Sequence, residues 1–270
     1  MSSINTNVSA LYSQNALKSN ARSMNTAMEQ LSTGTRINSA KDDAAGLAIS
    51  QNMTSVIRGL NMAVRNLNDG VNMIQTADGA MIEQTNMLQR MRELAVQASN
   101  GTNSPAQTTY LNVEFQALVT QIGSISSQTT WNGMNLMNAT STFSFQSGAS
   151  SGQTISVVVT SMGTASLGIS TASISSAAFA AKSIATLDTA MNSINSQRAQ
   201  LGAGINRMAY AADNMTNVSS NTTASRSAIM DTDYALATTQ LAKNQIIQQA
   251  ATAMLAQANQ QPSAVMALLK

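Results

Sequence analysis

The sequence predicts a mainly α fold: a long antiparallel helical bundle or coiled coil, with paired terminal helices and one small β-hairpin region. Both ends of the chain carry apolar or small residues at alternating spacings of three and four. Two long interior segments each keep a single frame of the same kind. Strict period-two alternation is confined to a short stretch near the middle. The three-four rhythm is that of a helix with one buried stripe, and the alternation is that of a half-buried strand.

At the N-terminal end, Leu17, Ala21, Met24, Met28 and Leu31 follow this rhythm. At the C-terminal end, Ile247, Ala251, Met254, Ala258, Val265 and Leu268 do the same, with only Gln261 out of character. Small and apolar knobs at such spacing fill holes on a facing helix. Each segment is short and narrowly apolar, so neither is stable alone. The two can pair only if the chain travels out and returns.

Residues 43–99 carry the strongest helical pattern of the first half. Ile57, Leu60, Val64, Leu67, Val71 and Ile74 hold the frame, and Met81, Leu88 and Ala95 continue it at intervals of seven. Such a helix is roughly 80 Å long at about 1.5 Å per residue. Ser39 with Asp42 forms a cap for its start, and Asp42 and Asp43 suit the positive end of its dipole. Asn100-Gly101 and then Pro105 mark its stop. Gly59, Gly70 and Gly79 weaken it locally; close approach of another element and chance placement both account for them.

A shorter helix is predicted over 105–128, with Leu111, Phe115, Leu118 and Ile122 on one face. Asn132-Gly133 is a turn signal. Residues 142–146 and 154–160 alternate, the latter with Ile155, Val157 and Val159 on one side, and Gly148 to Gly152 lies between. This is the expected hairpin near 140–160, the only strand-rich region. Residues 161–175, rich in Ser, Thr and Gly, read as a loop. The return helix is expected over about 176–222, on Ile184, Leu187, Met191, Ile194, Leu201, Ile205, Met208, Ala212 and Met215, with Arg198 alone breaking the frame. Ser225 to Asp233 reads as a connector mirroring 32–42. Domain boundaries are therefore expected at the connectors, giving a terminal coiled-coil domain of 1–42 with 231–270 and a helical domain of 43–230.

Composition excludes much. The chain of 270 residues has no Cys and no His, which removes thiolate nucleophiles, His bases, disulfides and the usual zinc ligands. No phosphate-cradling loop and no Gly-x-Ser-x-Gly elbow is present. No cofactor or metal is expected. Charged residues make up 10% and aromatics 3%. Polar but weakly charged faces suit burial against neighbouring subunits, because desolvating charge is costly; a weakly charged monomer surface is the alternative, and the seams at both ends favour assembly. The net charge of +2 comes without a basic stripe interleaved with aromatics, so no nucleic acid is expected as a partner. The apolar runs are too short to span a membrane, and the N-terminus lacks the basic start and apolar core of a secretory signal.

Several blocks carry a family resemblance. Residues 30–50, Gln30-Leu31-Ser32-Thr33-Gly34-Thr35-Arg36-Ile37-Asn38-Ser39-Ala40-Lys41-Asp42-Asp43-Ala44-Ala45-Gly46-Leu47-Ala48-Ile49-Ser50, closely resemble the N-terminal signature of bacterial flagellin. Residues 195–203 (Asn-Ser-Gln-Arg-Ala-Gln-Leu-Gly-Ala), Asp231-Thr232-Asp233-Tyr234-Ala235, Gln248-Gln249-Ala250 and Leu255-Ala256-Gln257-Ala258-Asn259-Gln260 agree. The match covers roughly residues 1–138 and 176–270.

The resemblance implies a subunit of the extracellular flagellar filament, with 1–42 and 231–270 as its inner-core domain and 43–230 as its wall domain. About 40 residues separate the helical blocks, so outer domains are expected to be lacking. It implies self-assembly into a helical homopolymer, type III export without a cleaved signal, an export chaperone, and hook-associated junction and cap proteins as partners. The expected inner-core residues are the eleven terminal positions named above. The wall seam comprises Ile57 to Ile74 and Ile184 to Met208, and Arg36, Lys41 and Asp42 serve the connector. Residues 89–97 further resemble the segment read by the flagellin-sensing Toll-like receptor of animals, with Arg90, Leu94 and Glu114 at the matching positions. An ordinary helix face accounts for the same residues, Arg90 and Glu93 forming a surface pair.

Three other classes fit the sequence less well. An enzyme would have to rest on Asp42-Asp43 or Asp231/Asp233, and a helical rod offers no shaped pocket for an acid–base pair. A hook–filament junction protein shares the paired-terminus plan, but the full C-terminal signature and compact middle argue against it. A membrane-active helix would need a Lys/Arg-rich polar face, which is missing.

Overall fold

The computed structural model describes residues 6–267, with side-chain surroundings to residue 260. Among the described residues the helices are α1 (Val8–Thr33), α2 (Ala44–Ala98), α3 (Pro105–Gln128), α4 (Ala177–Met230) and α5 (Tyr234–Ala267). Between α3 and α4 lie β1 (Thr130–Trp131), β2 (Met134–Asn135), β3 (Ser141–Gln146) and β4 (Thr154–Val159). The chain divides into two compact units, one of Met1–Ser55 with Asn221–Lys270 and one of Val56–Ser220. The division falls inside α2 and α4 rather than at 42/43 and 230/231. At the connectors themselves a β-bridge pairs Thr35 with Asp231.

In the first unit α1 packs against α5. The pairing is antiparallel: Asn7 near the start of α1 reaches Ala258, and Asn20 reaches Asn244. Asp43, not Ser39 with Asp42, caps α2; its Oδ1 accepts from the Gly46 N–H at 2.9 Å. Asp42 is used in the preceding loop. The second connector is shorter than expected, since α4 continues through Met230. Residues 216–226 are rich in Ser, Thr and Asn, weak helix formers, but tertiary bonds hold them. Ser219 Oγ meets Asn61 Oδ1 at 3.0 Å, and Arg226 Nη1 donates to Thr54 Oγ1 at 3.3 Å.

The second unit is built on one apolar core. Leu67, Ile74, Met81, Leu88, Phe115, Ile122, Leu187, Ile194 and Leu201 are fully withdrawn from solvent. α3 starts on a capping box, with Ser104 Oγ accepting from the Gln107 N–H, Gln107 Oε1 accepting from the Ser104 N–H, and Pro105 at the first turn. In the α4 frame Gln197 is buried between Ile194 and Leu201. It is satisfied there: its Nε2 donates to the Val158 carbonyl at 2.8 Å, and its Oε1 accepts from Thr160 Oγ1 at 2.7 Å. Arg198 turns aside and pairs with Asp78 at 2.7 Å.

β3 and β4 pair antiparallel, with Phe143 opposite Val157 and Phe145 opposite Ile155. Phe143, Phe145, Ile155, Val157 and Val159 pack into the helical core. A second, two-residue ribbon joins β1 to β2, so the hairpin is not the only paired region. Asn132 and Gly133, with φ of 47° and 78°, supply the two left-handed residues that such a tight turn needs. Residues 161–175 have no regular structure, but bury Met162, Leu167, Ile169 and Ile174. Helix side chains satisfy this segment's backbone: Gln84 donates to the Met162 carbonyl at 3.1 Å, Gln116 donates to the Ala172 carbonyl at 2.8 Å, and Asn112 accepts from the Ile174 N–H at 3.0 Å.

Two of the three α2 glycines are close-approach positions. A Cβ on Gly59 would meet the Ala149 Cβ at 2.9 Å, and one on Gly70 would meet the Phe145 ring at 2.8 Å, whereas at Gly79 nothing lies within 4 Å. Gly79→Ala is therefore expected to stabilise the chain by about 0.5–1 kcal/mol through helix propensity. Gly70→Leu is expected to destabilise it by about 1–3 kcal/mol through overpacking. Urea unfolding of both variants checks the pair; the same sign for both would show that the Phe145 contact does not limit the site.

Candidate assembly surfaces

The terminal pair is held along a narrow strip. From Tyr234 to Gln260 the positions of α5 not classed as exposed are Ala237, Leu241, Asn244, Gln248, Ala251, Leu255 and Ala258, at strict four-three spacing. The matching strip on α1 is Ala10, Ser13, Leu17, Asn20, Met24, Ala27 and Leu31, with Ala21 and Gln30 half-buried beside it. This is a coiled-coil seam, and it lies one residue away from the expected one at Met28, Ile247 and Met254. Leu17, Met24, Leu31, Ala251 and Ala258 lie on it and Ala21 lies at its edge. Met28, Ile247 and Met254 do not: they are 46%, 39% and 64% exposed. Their seam places are taken by Ala27, Gln248 and Leu255. Size and apolarity alone do not mark this strip, because Ala27, Asn20, Asn244 and Gln248 lie on it beside Leu17, Met24, Leu31, Leu241 and Leu255, while Met28, Ile247 and Met254 face out. Steps of seven back from Ala258 and Ala251 reach Asn244 and Ala237, one of the two heptad rows of the strip. Val265 and Leu268 lie outside the residues whose side chains are described.

The connectors are tied to each other by main-chain bonds. Gly34, at φ 71°, closes α1 in the left-handed conformation and donates to the Gln30 carbonyl at 2.9 Å. Its carbonyl accepts from the Thr232 N–H at 3.0 Å. The Arg36 N–H donates to the Met230 carbonyl, and Arg36 Nη2 donates to the Ile229 carbonyl at 2.6 Å. A guanidinium on the last carbonyls of α4 satisfies groups the helix leaves open and complements its negative end. Asp42 Oδ2 accepts from Ser39 Oγ at 2.9 Å, the Ser39 N–H at 3.0 Å and the Asn38 N–H at 3.3 Å. These bonds, the Ser39 hydroxyl foremost, hold its carboxyl below the ordinary carboxylate value. Lys41 is exposed, and adds a favourable charge beside Asp42.

Every expected wall-seam residue is buried or half-buried: Leu60, Leu67, Ile74, Leu187, Ile194, Leu201 and Met208 are buried, and Ile57, Val64, Val71, Ile184, Met191 and Ile205 are half-buried. At residues 89–97, Arg90 bridges two carboxylates, with Nε on Glu114 at 2.9 Å and Nη1 on Glu93 at 3.0 Å. The Glu114 bond and then the Glu93 bond raise the Arg90 pKa further above its ordinary value. Leu94 is only 1% exposed. It therefore faces the core and does not share the surface formed by Arg90 and Glu114. Among the described residues no group of three or more His, Cys, Asp or Glu is placed to hold a metal ion, and no helix is long and apolar enough to cross a membrane.

These features define a mainly α-helical protein whose two ends pair along a heptad seam. Comparison with known proteins specifies the family. The model of the bacterial flagellin N-terminal helical region matches residues 4–142, and that of the C-terminal helical region matches residues 184–269. The flagellin of Halalkalibacterium halodurans is 42% identical over 270 residues, covering 99% of each chain. Polar flagellin F of Vibrio parahaemolyticus is 34% identical over 372 residues, covering 98% of this chain and 99% of its own. The crystal structure of Bacillus cereus flagellin matches with a TM-score of 0.51 at 31% identity, covering 56% of this chain and 88% of that one. The chain belongs to the bacterial flagellin family.

The lowered Asp42 pKa has a definite sign. A carboxylate stabilised in the folded state supports that state above its unfolded pKa, near 3.9, and loses its contribution as the pH falls through the lower folded value. Carbon NMR titration of Asp42 should give a midpoint below the ordinary 3.8, and Ser39→Ala should move it up. An unchanged midpoint in that variant would show that the hydroxyl is not the cause.

Proposed function

We propose that the chain is the structural subunit that polymerises into the extracellular bacterial flagellar filament and serves swimming motility. The observation that carries this is the division of labour on the terminal helices. A narrow seam, in which alanines and polar residues alternate with Leu17, Met24, Leu31, Leu241 and Leu255, pairs α1 with α5, while Tyr12, Met28, Leu236, Ile246 and Met254 remain 73%, 46%, 62%, 67% and 64% exposed. Further copies of the chain are the natural cover for these side chains. The wall seam holds the second unit together, and the connectors Arg36, Lys41 and Asp42 serve the junction of α1 with the long helices. The role is structural rather than enzymatic. No observation favours a hook–filament junction protein; the relatives matched over nearly their whole length are flagellins.

Secretion through the type III route, an export chaperone, and hook-associated junction and cap partners complete this reading. A Cys-free chain that crosses unfolded and pairs its ends outside fits that route. Alignment with the Vibrio relative runs over 372 residues against 270 here; this supports a short form without outer domains and a thin filament.

Seeded polymerisation, viewed by negative-stain electron microscopy, tests the proposal. The intact chain should extend seeds, and a chain lacking 1–42 and 231–270 should not. Ala258→Glu buries a charge in the seam beside the Asn7 contact, and should lower filament yield by about ten-fold or more. Normal filaments from that variant would refute the role of the seam.

For the Toll-like receptor of animals, the accessible part of the resembling segment is the Arg90–Glu114 pair, with Leu94 acting only through the core. Soluble chain carrying Arg90→Ala is expected to activate receptor-bearing cells less than the unaltered chain. Equal activation would remove Arg90 from receptor recognition.

A further inference from the structure

The chain has 18 Met and no Cys, so all its sulfur is thioether sulfur. Peroxides attack thiolates and thioethers at sulfur. Without a thiolate to compete, accessible methionines are the sites that react. Attack forms a sulfur–oxygen bond and breaks the peroxide O–O bond. The thioether is oxidised to its sulfoxide, and hydrogen peroxide is reduced to water.

Burial sorts these side chains sharply. Met73, Met81, Met91, Met137, Met162 and Met208 are 0–3% exposed, and the fold shields their sulfurs. Met28, Met62, Met134 and Met254 are 46%, 48%, 49% and 64% exposed. Met62 lies on α2 with its sulfur engaged, since Arg65 Nη2 donates to Sδ. A guanidinium there occupies a lone pair and disfavours the positive charge that builds on sulfur as it attacks peroxide. Met134 belongs to β2, away from the terminal helices. Met28 and Met254 lie on α1 and α5, beside the seam rather than in it. Among the described residues no donor meets either sulfur.

These two side chains are also among those left for further copies of the chain to cover. That cover is the filament reading given above, on which the proposal depends. A thioether that stays in water tolerates oxidation, but one that must be buried at a contact does not. The sulfoxide replaces a flexible apolar tip with a polar, chiral S=O. Burying that oxygen without a donor carries the cost of an unpaired polar group. Oxidation before assembly therefore opposes incorporation, and incorporation shields the same sulfurs from oxidant.

We infer that Met28 and Met254 are oxidation sites through which peroxide controls assembly: their sulfoxides form on the free chain and block its addition to the filament. The lesion is reversible, because sulfoxide reductases restore the thioether at the expense of a dithiol. Leucine has nearly the same volume and no sulfur, so a Met→Leu change removes the chemistry and keeps the packing.

The test treats free full-length chain and preformed filaments with hydrogen peroxide, maps every methionine by peptide mass spectrometry, and adds treated and untreated chain to seeds. In the free chain Met28 and Met254 should oxidise about ten-fold or more faster than Met81 and Met91, and in filaments their rate should fall toward that of the buried pair. Treated chain should extend seeds about ten-fold or more slowly than untreated chain, and sulfoxide reductases of both epimer specificities should restore it. Met28→Leu/Met254→Leu should extend seeds equally before and after peroxide, whereas Met134→Leu should remain as sensitive as the unaltered chain. Equal oxidation of the exposed and buried pairs, full extension by oxidised chain, or undiminished sensitivity of the double leucine variant would each overturn the inference. If that variant does not assemble, the reductase decides: recovery that fails to track loss of the two sulfoxides would overturn it as well. If untreated chain does not extend seeds, the filament reading falls and the assembly half falls with it, while the peptide map still decides whether these sulfurs are the reactive ones.

Discussion

Along α2 and α4 of the second unit, residues seven apart are withdrawn from water one after another: Leu67, Ile74, Met81 and Leu88 on one helix, Leu187, Ile194 and Leu201 on the other. Burial of this stripe is the favourable interaction on which the unit rests, at about 25 cal/mol per Å² of apolar surface. Little else of comparable size is present. The ion pairs Arg90–Glu93, Arg90–Glu114 and Arg92–Asp188 are close to half exposed or more, and Arg198–Asp78 about one-third exposed. Pairs of that kind contribute about 0–1 kcal/mol each. The hairpin adds its aromatic face to the same core, and Gly70 lies where the Phe145 ring presses closest to a helix.

The first unit works on a different balance. Its seam is rich in alanine and contains two buried asparagines, so each level contributes little packing and some levels are polar. Main-chain bonds compensate at the connectors, where the Thr35–Asp231 bridge and the Arg36 contacts fasten one helix end to another. The terminal helices thus have defined geometry without a large core of their own, and Tyr12, Met28, Leu236, Ile246 and Met254 remain outside. Such an arrangement suits a chain that must be held loosely before assembly and firmly after it.

The extents of α2 and α3 and the pairing of β3 with β4 were legible in the sequence, because strong periodicity and turn chemistry agreed there. The wall seam was legible for the same reason, since its buried positions are also its largest apolar ones. The terminal seam was half legible. Met28, Ile247 and Met254 satisfied a three-four count yet face outward, while Asn20 and Asn244 face inward, so residue character and residue burial part company. The far end of α4 was missed because Ser, Thr and Asn there argue against helix until Asn61 and Thr54 supply partners. The buried stretch 161–175 was missed because side chains from α2 and α3, far away in sequence, satisfy its backbone. Leu94 was grouped with Arg90 and Glu114 by motif, although its place on the helix puts it inside.

The contact between Asn20 and Asn244 also sets a clock. The two residues are 224 positions apart, and a ribosome adding about 5–20 residues per second needs roughly 10–45 seconds to travel between them. For that interval α1 has no α5 to pair with. The first helix made is among the last to find its partner, so the order of synthesis itself keeps the nascent N-terminus unpaired.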